Sequence, residues 1–406
     1  MSEPQAVEPR YIDLTDPASF VVNDMYAYWR TLRASTPVYW HPAGASGPGF
    51  WVLSRYADIM EVYRDGKRFC SQYGNVLTTL LQGGDSAAGK MLAVTDGLRH
   101  RELRNVLVRA FSPRTLDRVA AAVHAETGRR MAEVVRHGEF DFAEDVAATI
   151  PMNTICDLLA VPPTDREHLF GLNKQALSSD DPEAGFSEAW TARNEILQYF
   201  LGLAADRRAH PGDDVVSALA SAAINGRPLS DEEIVFNCYS LILGGDETSR
   251  LSMIGAVHAL AHHPDQWAAL RAGTASMDTA VEEVLRWTSP TMHFGRTATV
   301  DTVIGGEAVR AGDRITLWNT SANRDERAFD DPDRFDLGRR PNRHLTFGHG
   351  PHFCLGAYLA RVEITAMLAW LRELVTGIEL LGAPRPIYSN LLGGFSSLPV
   401  RFRPTT

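Results

Sequence analysis

A single cysteine, in a loop marked by glycines and directly before a strong helical pattern, is the feature that most constrains this chain of 406 residues. Cys354 follows Gly350 and precedes Gly356, and an apolar helical period runs on through residues 357–374. A helix beginning there would direct its unpaired N–H groups and the positive end of its dipole at the sulfur, which lowers the pKa of a thiol. An isolated cysteine is usually a buried core residue, but this setting predicts a thiolate that ligates a metal.

The bulk composition excludes several classes of protein. Hydrophobic residues make up 45% of the chain and charged residues 22%, which is typical of a globular protein with a large core. The net charge of −10 argues against general nucleic-acid binding. The first residues have neither the basic region nor the apolar run of a signal peptide, so we expect a cytoplasmic, monomeric protein that does not bind membranes. With no linker visible, residues 1–406 are predicted to form one domain.

Cysteine spacing excludes a zinc module rich in cysteine and also a disulfide framework, because no Cys-x-x-Cys pair is present. Three of the four cysteines are expected to be core thiols, and Cys354 is expected to be the metal ligand. The four are Cys70, Cys156, Cys238 and Cys354.

One long helix is predicted over residues 231–263. Ser230 and Glu233 have the spacing of a capping box, and the apolar pattern continues to Pro264, which corresponds to a helix of about thirty residues. Charged residues in its centre, Asp246 among them, exclude a membrane span.

The middle of this helix contains Gly244-Gly245, followed by Asp246, Glu247 and Thr248. Each glycine costs about 1 kcal/mol of helix propensity relative to alanine, so a functional gain should offset the pair. A local distortion that opens a groove for a small ligand, beside the Thr248 hydroxyl and the acids, would provide it.

Several other segments have two open interpretations. Residues 37–40 and 50–53 read as two strands joined by a glycine turn, and a hairpin is favoured over a phosphate loop. The apolar but irregular stretch 71–93 is either a lid over a pocket or a loop packed on the core. His258 and His262 share a helical face but lack a third ligand, so no metal site is expected there.

Two pairs of charged residues also have more than one interpretation when each pair is considered alone. His100 and Arg104 are four residues apart and can point at one anion, although a solvated basic helix has the same spacing. Glu283 and Arg286 are usually no more than a surface salt bridge at this spacing.

The order of Phe347, Gly350, His352, Cys354 and Gly356 resembles the haem-binding signature of the cytochrome P450 superfamily. This resemblance implies a fold that is mainly α with a smaller β region, and haem b as cofactor. Cys354 would be the thiolate ligand of the iron, Phe347 would pack near the sulfur, and His352 would reach a propionate.

Further motifs resemble the same family in the same order. Residues 244–248 are similar to its oxygen-binding motif, in which an acid and an alcohol relay protons. Asp96, His100 and Arg104 are similar to its propionate clamp, although Gly97 and Leu98 stand where prolines are usual. Glu283 and Arg286, with a second arginine at Arg334, would form a buried network that holds the cysteine loop.

The resemblance implies a complete set of site residues. Proton delivery falls to Thr248, Glu247 and Asp246. Haem contacts are implied for His100, Arg104, Gly244, Gly245, Arg296, Phe347, Gly348, His352, Cys354 and Gly356. Substrate contacts are implied for Leu77, Leu81, Tyr239, Leu243, Met292, His293, Phe294 and Leu392. His293 could equally be bonded to nearby backbone. The poorly patterned part of residues 169–189 would form a mobile roof.

The implied function is a monooxygenase that activates dioxygen to hydroxylate or otherwise oxidise a mid-sized organic substrate in bacterial secondary metabolism. The substrate would be free, or a carrier-protein-bound amino acid or a polyketide or peptide intermediate. Because no flavin or nucleotide fold is visible, electrons would come from a ferredoxin and its reductase, docked on a basic face of Arg99, Arg101, Arg109 and Arg343. Alternatives are atypical haem-thiolate chemistry (coupling, nitration or peroxygenation) and a non-catalytic haem sensor.

Overall fold

Helices make up most of the computed structural model, which describes residues 11–177 and 186–405. The α-helices in these ranges are α1 (Ala18–Val22), α2 (Met25–Ser35), α3 (Tyr56–Arg64), α4 (Leu77–Leu81), α5 (Gly97–Ala110), α6 (Pro113–His137), α7 (Thr149–Leu158), α8 (Arg166–Leu177), α9 (Phe186–Ala209), α10 (Val215–Ala220), α11 (Asp231–His262), α12 (Pro264–Ala272), α13 (Met277–Thr288), α14 (Asn319–Ala322) and α15 (Ala357–Leu374). A π-helical turn precedes α7, and a 3₁₀ turn over Gly350–His352 precedes the cysteine.

Short strands form the smaller β part. They are β1 (Val38–His41), β2 (Phe50–Leu53), β3 (Phe69–Cys70), β4 (Glu139–Asp141), β5 (Ala223–Ile224), β6 (Arg227–Pro228), β7 (His293–Ala298), β8 (Thr302–Ile304), β9 (Glu307–Val309), β10 (Arg314–Trp318), β11 (Val375–Leu380), β12 (Arg385–Pro386), β13 (Phe395–Ser397) and β14 (Pro399–Pro404). Five of them form a mixed sheet in the order β1-β2-β10-β7-β3, and three form the sheet β11-β14-β4. The predicted hairpin is confirmed, because β1 and β2 pair antiparallel around a turn in which Gly44 and Gly47 face each other.

The long helix predicted around the glycine pair is α11, which runs unbroken through 32 residues. Its N-terminus carries the complete capping box of Ser230 and Glu233. The predicted distortion does not interrupt the helix. Gly245 instead allows close packing, because a Cβ there would lie 3.1 Å from Cδ1 of Ile155 in α7, whereas the position of a Cβ at Gly244 meets open space.

The loop that carries the cysteine is fixed against α3. Gly350 has a φ of +72°, and a Cβ at this position would lie 2.3 Å from the carbonyl oxygen of Tyr63. Only glycine allows this close approach of two backbones. The loop therefore reaches the start of α15 along one path.

A buried ion network holds the chain before this loop. The Glu283 carboxylate accepts two hydrogen bonds of 2.8 Å from Arg286, and both side chains are fully buried. Sequence reasoning assigned the second arginine to Arg334, and this is corrected here. Arg339 provides it, with Nε 3.1 Å from the carboxylate. Arg334 contributes its backbone carbonyl, which accepts from both Arg286 and Arg339.

The segment expected to be a lid or a packed loop contains the short helix α4, and part of it is buried. Leu77 and Leu80 on α4 are core residues, and Arg314 of β10 donates to the Leu80 carbonyl at 2.9 Å. Of the expected roof over residues 169–189, positions 178–185 lie outside the described residues, and the flanking positions belong to α8 and α9. Among the described residues, no helix is both long enough and apolar enough to cross a membrane.

The network gives a direct test of the corrected arginine. Replacing Arg339 with alanine removes one partner of a buried carboxylate, so the free energy of unfolding should fall by about 3 kcal/mol or more. Arg334→Ala is the matched control and should change stability little, because it keeps the carbonyl that both arginines use. Urea unfolding of the two variants decides between them, and equal losses would contradict the assignment to Arg339.

Candidate active site

Cys354 lies at the N-terminus of α15, and the residue is exposed. Its backbone N–H donates to the carbonyl of Phe347 at 2.9 Å, which closes the loop. The sequence predicted a lowered thiol pKa, but desolvation by the surrounding protein raises the pKa of Cys354. Backbone hydrogen bonds from Gly356 and Ala357 oppose this effect, as the helix-start argument anticipated, without overcoming it.

The positive charge beside the sulfur comes from two arginines. Arg104 on α5 and Arg361 on α15 both lower the pKa of Cys354 through their charges. Arg104 also donates to the Phe353 carbonyl at 2.7 Å, in the residue just before the cysteine. Arg361 stacks on the ring of Phe347, 4.6 Å from its centroid. These contacts would favour an anionic sulfur once a ligand shields it.

Two histidines expected at a propionate lie together. The rings of His100 and His352 have centroids 4.3 Å apart. The Nε2 atom of His352 lies 3.1 Å from the Asp96 carboxylate. His100 is buried, its Nε2 has no hydrogen-bond partner among the described residues, and burial lowers its pKa to about 4. A buried ring nitrogen without a partner costs free energy unless a ligand group meets it.

Asp96 ties this pair to the start of the lid segment. Its carboxylate accepts the backbone N–H groups of Ser71 and Gln72 at 2.8 and 2.9 Å. These bonds, together with His352, lower the pKa of Asp96 against the opposing effect of burial. The acid expected from the propionate clamp is therefore a brace between three segments, with Gly97 in the left-handed region at φ +64° directly after it.

Arg296 completes the basic cluster on β7. Burial lowers its pKa, and its guanidinium lies over the ring of Tyr63 at 5.5 Å. Its guanidinium donates to the carbonyl of the neighbouring Gly295 at 2.7 Å. Within the described part of the chain, neither Arg296 nor Arg104 forms an ion pair with a carboxylate. Two such guanidiniums and the unpartnered His100 nitrogen are donors of the kind that the propionates of a haem would accept from, and Cys354 offers a sulfur that can ligate iron.

The residues expected to deliver protons are distributed around α11. The Thr248 hydroxyl donates to the Gly244 carbonyl at 2.9 Å and lies at a partly exposed position. Glu247 is buried and forms two hydrogen bonds with Arg250, at 2.8 and 3.0 Å. The acid beside Thr248 is thus held in an ion pair rather than free in a groove.

Asp246 is separated from Thr248, contrary to the expectation that either acid could assist it. Two residues correspond to about 200° of rotation along an α-helix, so the two side chains leave opposite faces. Asp246 is buried and accepts from Asn173 Nδ2 on α8 at 2.5 Å. A role for Asp246 in proton delivery beside Thr248 is therefore not supported by its position.

The expected substrate residues divide into two groups. Leu77, Met292, His293 and Leu392 are buried in the core. Leu81, Tyr239, Leu243 and Phe294 are partly exposed. The partly exposed side chains are accessible to solvent in this structure, and the buried group connects α4, β7 and the turn near Leu392, which pairs with Thr291. The substrate contacts of both groups stay predictions.

The contacts of His293 favour one of its two predicted roles, the histidine bonded to nearby backbone. Its Nε2 accepts the backbone N–H of Leu77 at 3.2 Å, and its ring lies 4.5 Å from that of Trp318. Complete burial lowers its pKa to about 3. The ring is therefore a buried neutral acceptor that fixes the start of α4, and its Nδ1 has no hydrogen-bond partner among the described residues.

Sequence reasoning missed several polar residues of this region. Glu363 on α15 is buried, holds hydrogen bonds with Ser249 and Thr154, and has its pKa raised to about 7 by desolvation. Its signal was visible as an acid within the apolar face of α15. Asn173 and Arg339 carried no such signal, because their partners are distant in sequence.

Comparisons with known proteins agree with the resemblance. A family model described as Cytochrome P450 matches residues 184–374. The chain is 48% identical to "Cytochrome P450 NovI" of Streptomyces niveus, over 97% of each chain. It is 33% identical to "Linalool 8-monooxygenase" of Pseudomonas putida, over 96% of this chain and 98% of that one. The crystal structure of P450 OxyD, involved in the biosynthesis of vancomycin-type antibiotics, superposes with a TM-score of 0.89 at 36% identity, covering 97% of this chain and 100% of that one.

The buried His293 predicts a pH dependence. Its pKa is about 3 in the folded state and ordinarily 6.5. Below pH 6.5 the unfolded chain binds a proton that the folded chain cannot bind, so stability falls as the pH drops toward 3. His293→Gln keeps an acceptor for the Leu77 N–H and removes this proton, so stability should fall less steeply on acidification, by up to about 1.4 kcal/mol per pH unit.

The measurement is urea unfolding of both proteins at pH 7, 6 and 5. His137→Gln, at an exposed position in the last turn of α6, is the matched control and should follow the parent protein. Parallel pH profiles for the parent and His293→Gln would show that His293 is not the buried neutral acceptor described here.

Proposed function

This chain belongs to the cytochrome P450 family and is a haem-thiolate monooxygenase, and we propose that it oxidises a mid-sized organic molecule in bacterial secondary metabolism. The observation that carries the proposal is Cys354, an exposed residue, beside Arg104 and Arg296, which form no ion pair with a carboxylate among the described residues, and His100, whose buried Nε2 has no partner there. The similarity to P450 OxyD, which is involved in the biosynthesis of vancomycin-type antibiotics, supports a role in tailoring a natural product.

The proposed haem contacts are with the basic side chains grouped near Cys354. Cys354 would ligate the iron, and His100, Arg104, Arg296 and His352 would bind the propionates. Haem held in this way supplies the reductive activation of dioxygen. Phe347 and Gly348 would pack beside the sulfur, where Arg361 already fixes the Phe347 ring. Gly244, where a Cβ would meet open space, would allow the flat macrocycle to approach α11, whereas the side of Gly245 from which a Cβ would project is occupied by Ile155.

Proton handling falls to Thr248 in this proposal. Its hydroxyl donates to the Gly244 carbonyl at 2.9 Å, so its oxygen remains free to accept from water or oxygen species at the site. Glu247 is held by Arg250, so its carboxylate would have to leave this ion pair before it could take up a proton from water and pass it toward Thr248. Glu247 is therefore proposed as a second member of the relay, which acts only when its ion pair with Arg250 opens.

The proposed substrate surface combines Leu81, Tyr239, Leu243 and Phe294, which are partly exposed. Three are apolar and the tyrosine adds a hydroxyl, which suits a largely apolar molecule with a polar group. Candidate substrates are free molecules of this kind, and amino acids or peptide or polyketide intermediates held on a carrier protein. The whole chain is proposed to act as one domain, because relatives align along nearly all of it.

Electrons are proposed to come from a ferredoxin and its reductase. Arg101, Arg109 and Arg343 are exposed and suit an acidic partner. Arg99, which sequence reasoning added to this face, forms ion pairs with Glu233 and Glu102 and is less suited to docking. The monomeric state and the cytoplasmic location expected from the sequence stay predictions.

The first test of the proposal concerns the sulfur. In the parent protein, reduction and addition of carbon monoxide should shift the Soret band far to the red, the sign of an intact thiolate ligand. Cys354→Ser should abolish that band and all turnover, whereas Cys70→Ser, at a buried thiol on β3, should keep the band. A red-shifted band that survives in Cys354→Ser would refute the assignment.

The second test separates the Thr248 hydroxyl from its volume. Thr248→Val keeps the shape and removes the proton donor, so dioxygen consumption should continue while product falls by about tenfold or more and hydrogen peroxide is released. Thr248→Ser restores the hydroxyl and should recover most of the coupling. The ratio of product to dioxygen consumed is measured with one screened substrate, and equal ratios in the two variants would remove Thr248 from the relay.

A further inference from the structure

Two buried oxygen atoms without hydrogen-bond partners belong to a pair of side chains that already touch. Asn173 on α8 donates from Nδ2 to Oδ2 of Asp246 on α11 at 2.5 Å. Among the described residues, Asp246 Oδ1 and Asn173 Oδ1 are both buried and both lack a partner. Both can only accept hydrogen bonds when the acid is ionised, so an ionised Asp246 would leave two buried acceptors unsatisfied.

A single proton resolves both deficits. In a cyclic pair of a carboxylic acid and an amide, the amide N–H donates to one acid oxygen and the acid O–H donates to the amide oxygen. The first bond is present, and the two atoms without partners are those that the second bond joins.

We propose that Asp246 and Asn173 are positioning residues, which share one proton in a closed acid–amide pair and thereby hold α8 on α11 beside the Gly244–Thr248 segment. This assigns Asp246 to the contact between helices instead of to proton delivery. The proposal does not depend on the substrate, and its readouts require no turnover.

The surrounding charges favour the protonated acid. Desolvation and the charge of Glu247 raise the pKa of Asp246 to about 8, and Glu363 on α15 adds to this. The hydrogen bond from Asn173 and then the charge of Arg250 oppose the shift without overcoming it, and the Arg250 guanidinium forms two hydrogen bonds with Glu247. On α7, the titratable group that interacts with the charge of Asp246 is the Cys156 thiol. Burial raises the pKa of this thiol to about 12.

The sign of the resulting pH dependence is fixed. The closed pair holds its proton up to about pH 8, whereas an Asp246 exposed by local opening loses it near its ordinary pKa of 3.8. Opening therefore releases a proton, and it becomes about tenfold more favourable for each pH unit between these two values. Above about pH 8 both states are ionised and the dependence ends.

The experiment uses the haem-loaded full chain and two readouts. Infrared spectra at pH 6 should contain a band from a protonated carboxyl group that is absent in Asp246→Asn, and the difference between the two proteins removes the contribution of Glu363. Hydrogen exchange at the α8 amides, corrected for intrinsic rates, should lose about tenfold in protection per pH unit between pH 6 and pH 8.

Asp246→Asn is the decisive variant because it preserves the geometry. An amide at this position can still donate to Asn173 and accept from it, so the α8 protection should be kept and should no longer vary with pH. Asp246→Val should lose the protection at every pH. Asp117→Asn, at an exposed position of α6, is the matched control and should behave as the parent protein.

Two results would overturn the proposal. One is a carboxyl band that remains unchanged in Asp246→Asn, which would mean that Asp246 is ionised in the folded protein. The other is an equal pH dependence of α8 protection in the parent and in Asp246→Asn, which would place the titrating group elsewhere. The carbon monoxide spectrum of each variant reports whether the thiolate ligation is intact, and if Asp246→Val does not fold, Asp246→Asn and Asp117→Asn still decide the question.

Discussion

The Glu283 carboxylate is the interaction on which the rest of the site depends. It is fully buried and accepts from Arg286, Arg339, Asn342 and the Asp336 backbone N–H. A carboxylate taken out of water costs several kcal/mol, and only this saturation of its lone pairs makes the burial tolerable. The geometry required for saturation fixes the extended segment between α14 and the cysteine loop, which has few regular hydrogen bonds of its own.

A series of polar contacts connects the Glu283 network to the cysteine loop and holds that loop in position. Arg286 donates to the Asn323 carbonyl at 2.8 Å, and the Asn323 side chain accepts the Leu345 N–H at 2.7 Å and donates to Thr346 at 3.0 Å. Phe347 follows directly and accepts the Cys354 N–H. Scaffold and site thus differ in one respect. The scaffold carboxylate of Glu283 is saturated by protein donors, whereas Nε2 of His100 has no partner among the described residues and could meet a cofactor.

The parts that the sequence could predict are those encoded locally. The capping box at Ser230 and the spacing around Cys354 are contained in short windows, and the structure has a helix start at each. The parts that sequence reasoning missed depend on distant partners. Along the sequence, Arg334 and Arg339 are both candidates for the second arginine that binds Glu283. The turn between them decides which guanidinium reaches the Glu283 carboxylate. His293 likewise had two interpretations until the Leu77 N–H was placed against it.

The polar run at the centre of α11 shows why such distant partners matter. Consecutive side chains on a helix leave at steps of about 100°, so Asp246, Glu247, Thr248 and Ser249 must face four different directions. Asp246 meets Asn173 on α8, Glu247 meets Arg250 on its own helix, and Ser249 meets Glu363 on α15. Two of the four positions, Asp246 and Ser249, therefore have partners on other helices that fix the rotation of α11 about its axis. Glu247 and Thr248 both bond within their own helix, so the direction of Thr248 is set by the other two contacts. A run that reads as one catalytic motif along the chain is, in space, one reactive hydroxyl whose direction is set by two buried polar contacts to neighbouring helices.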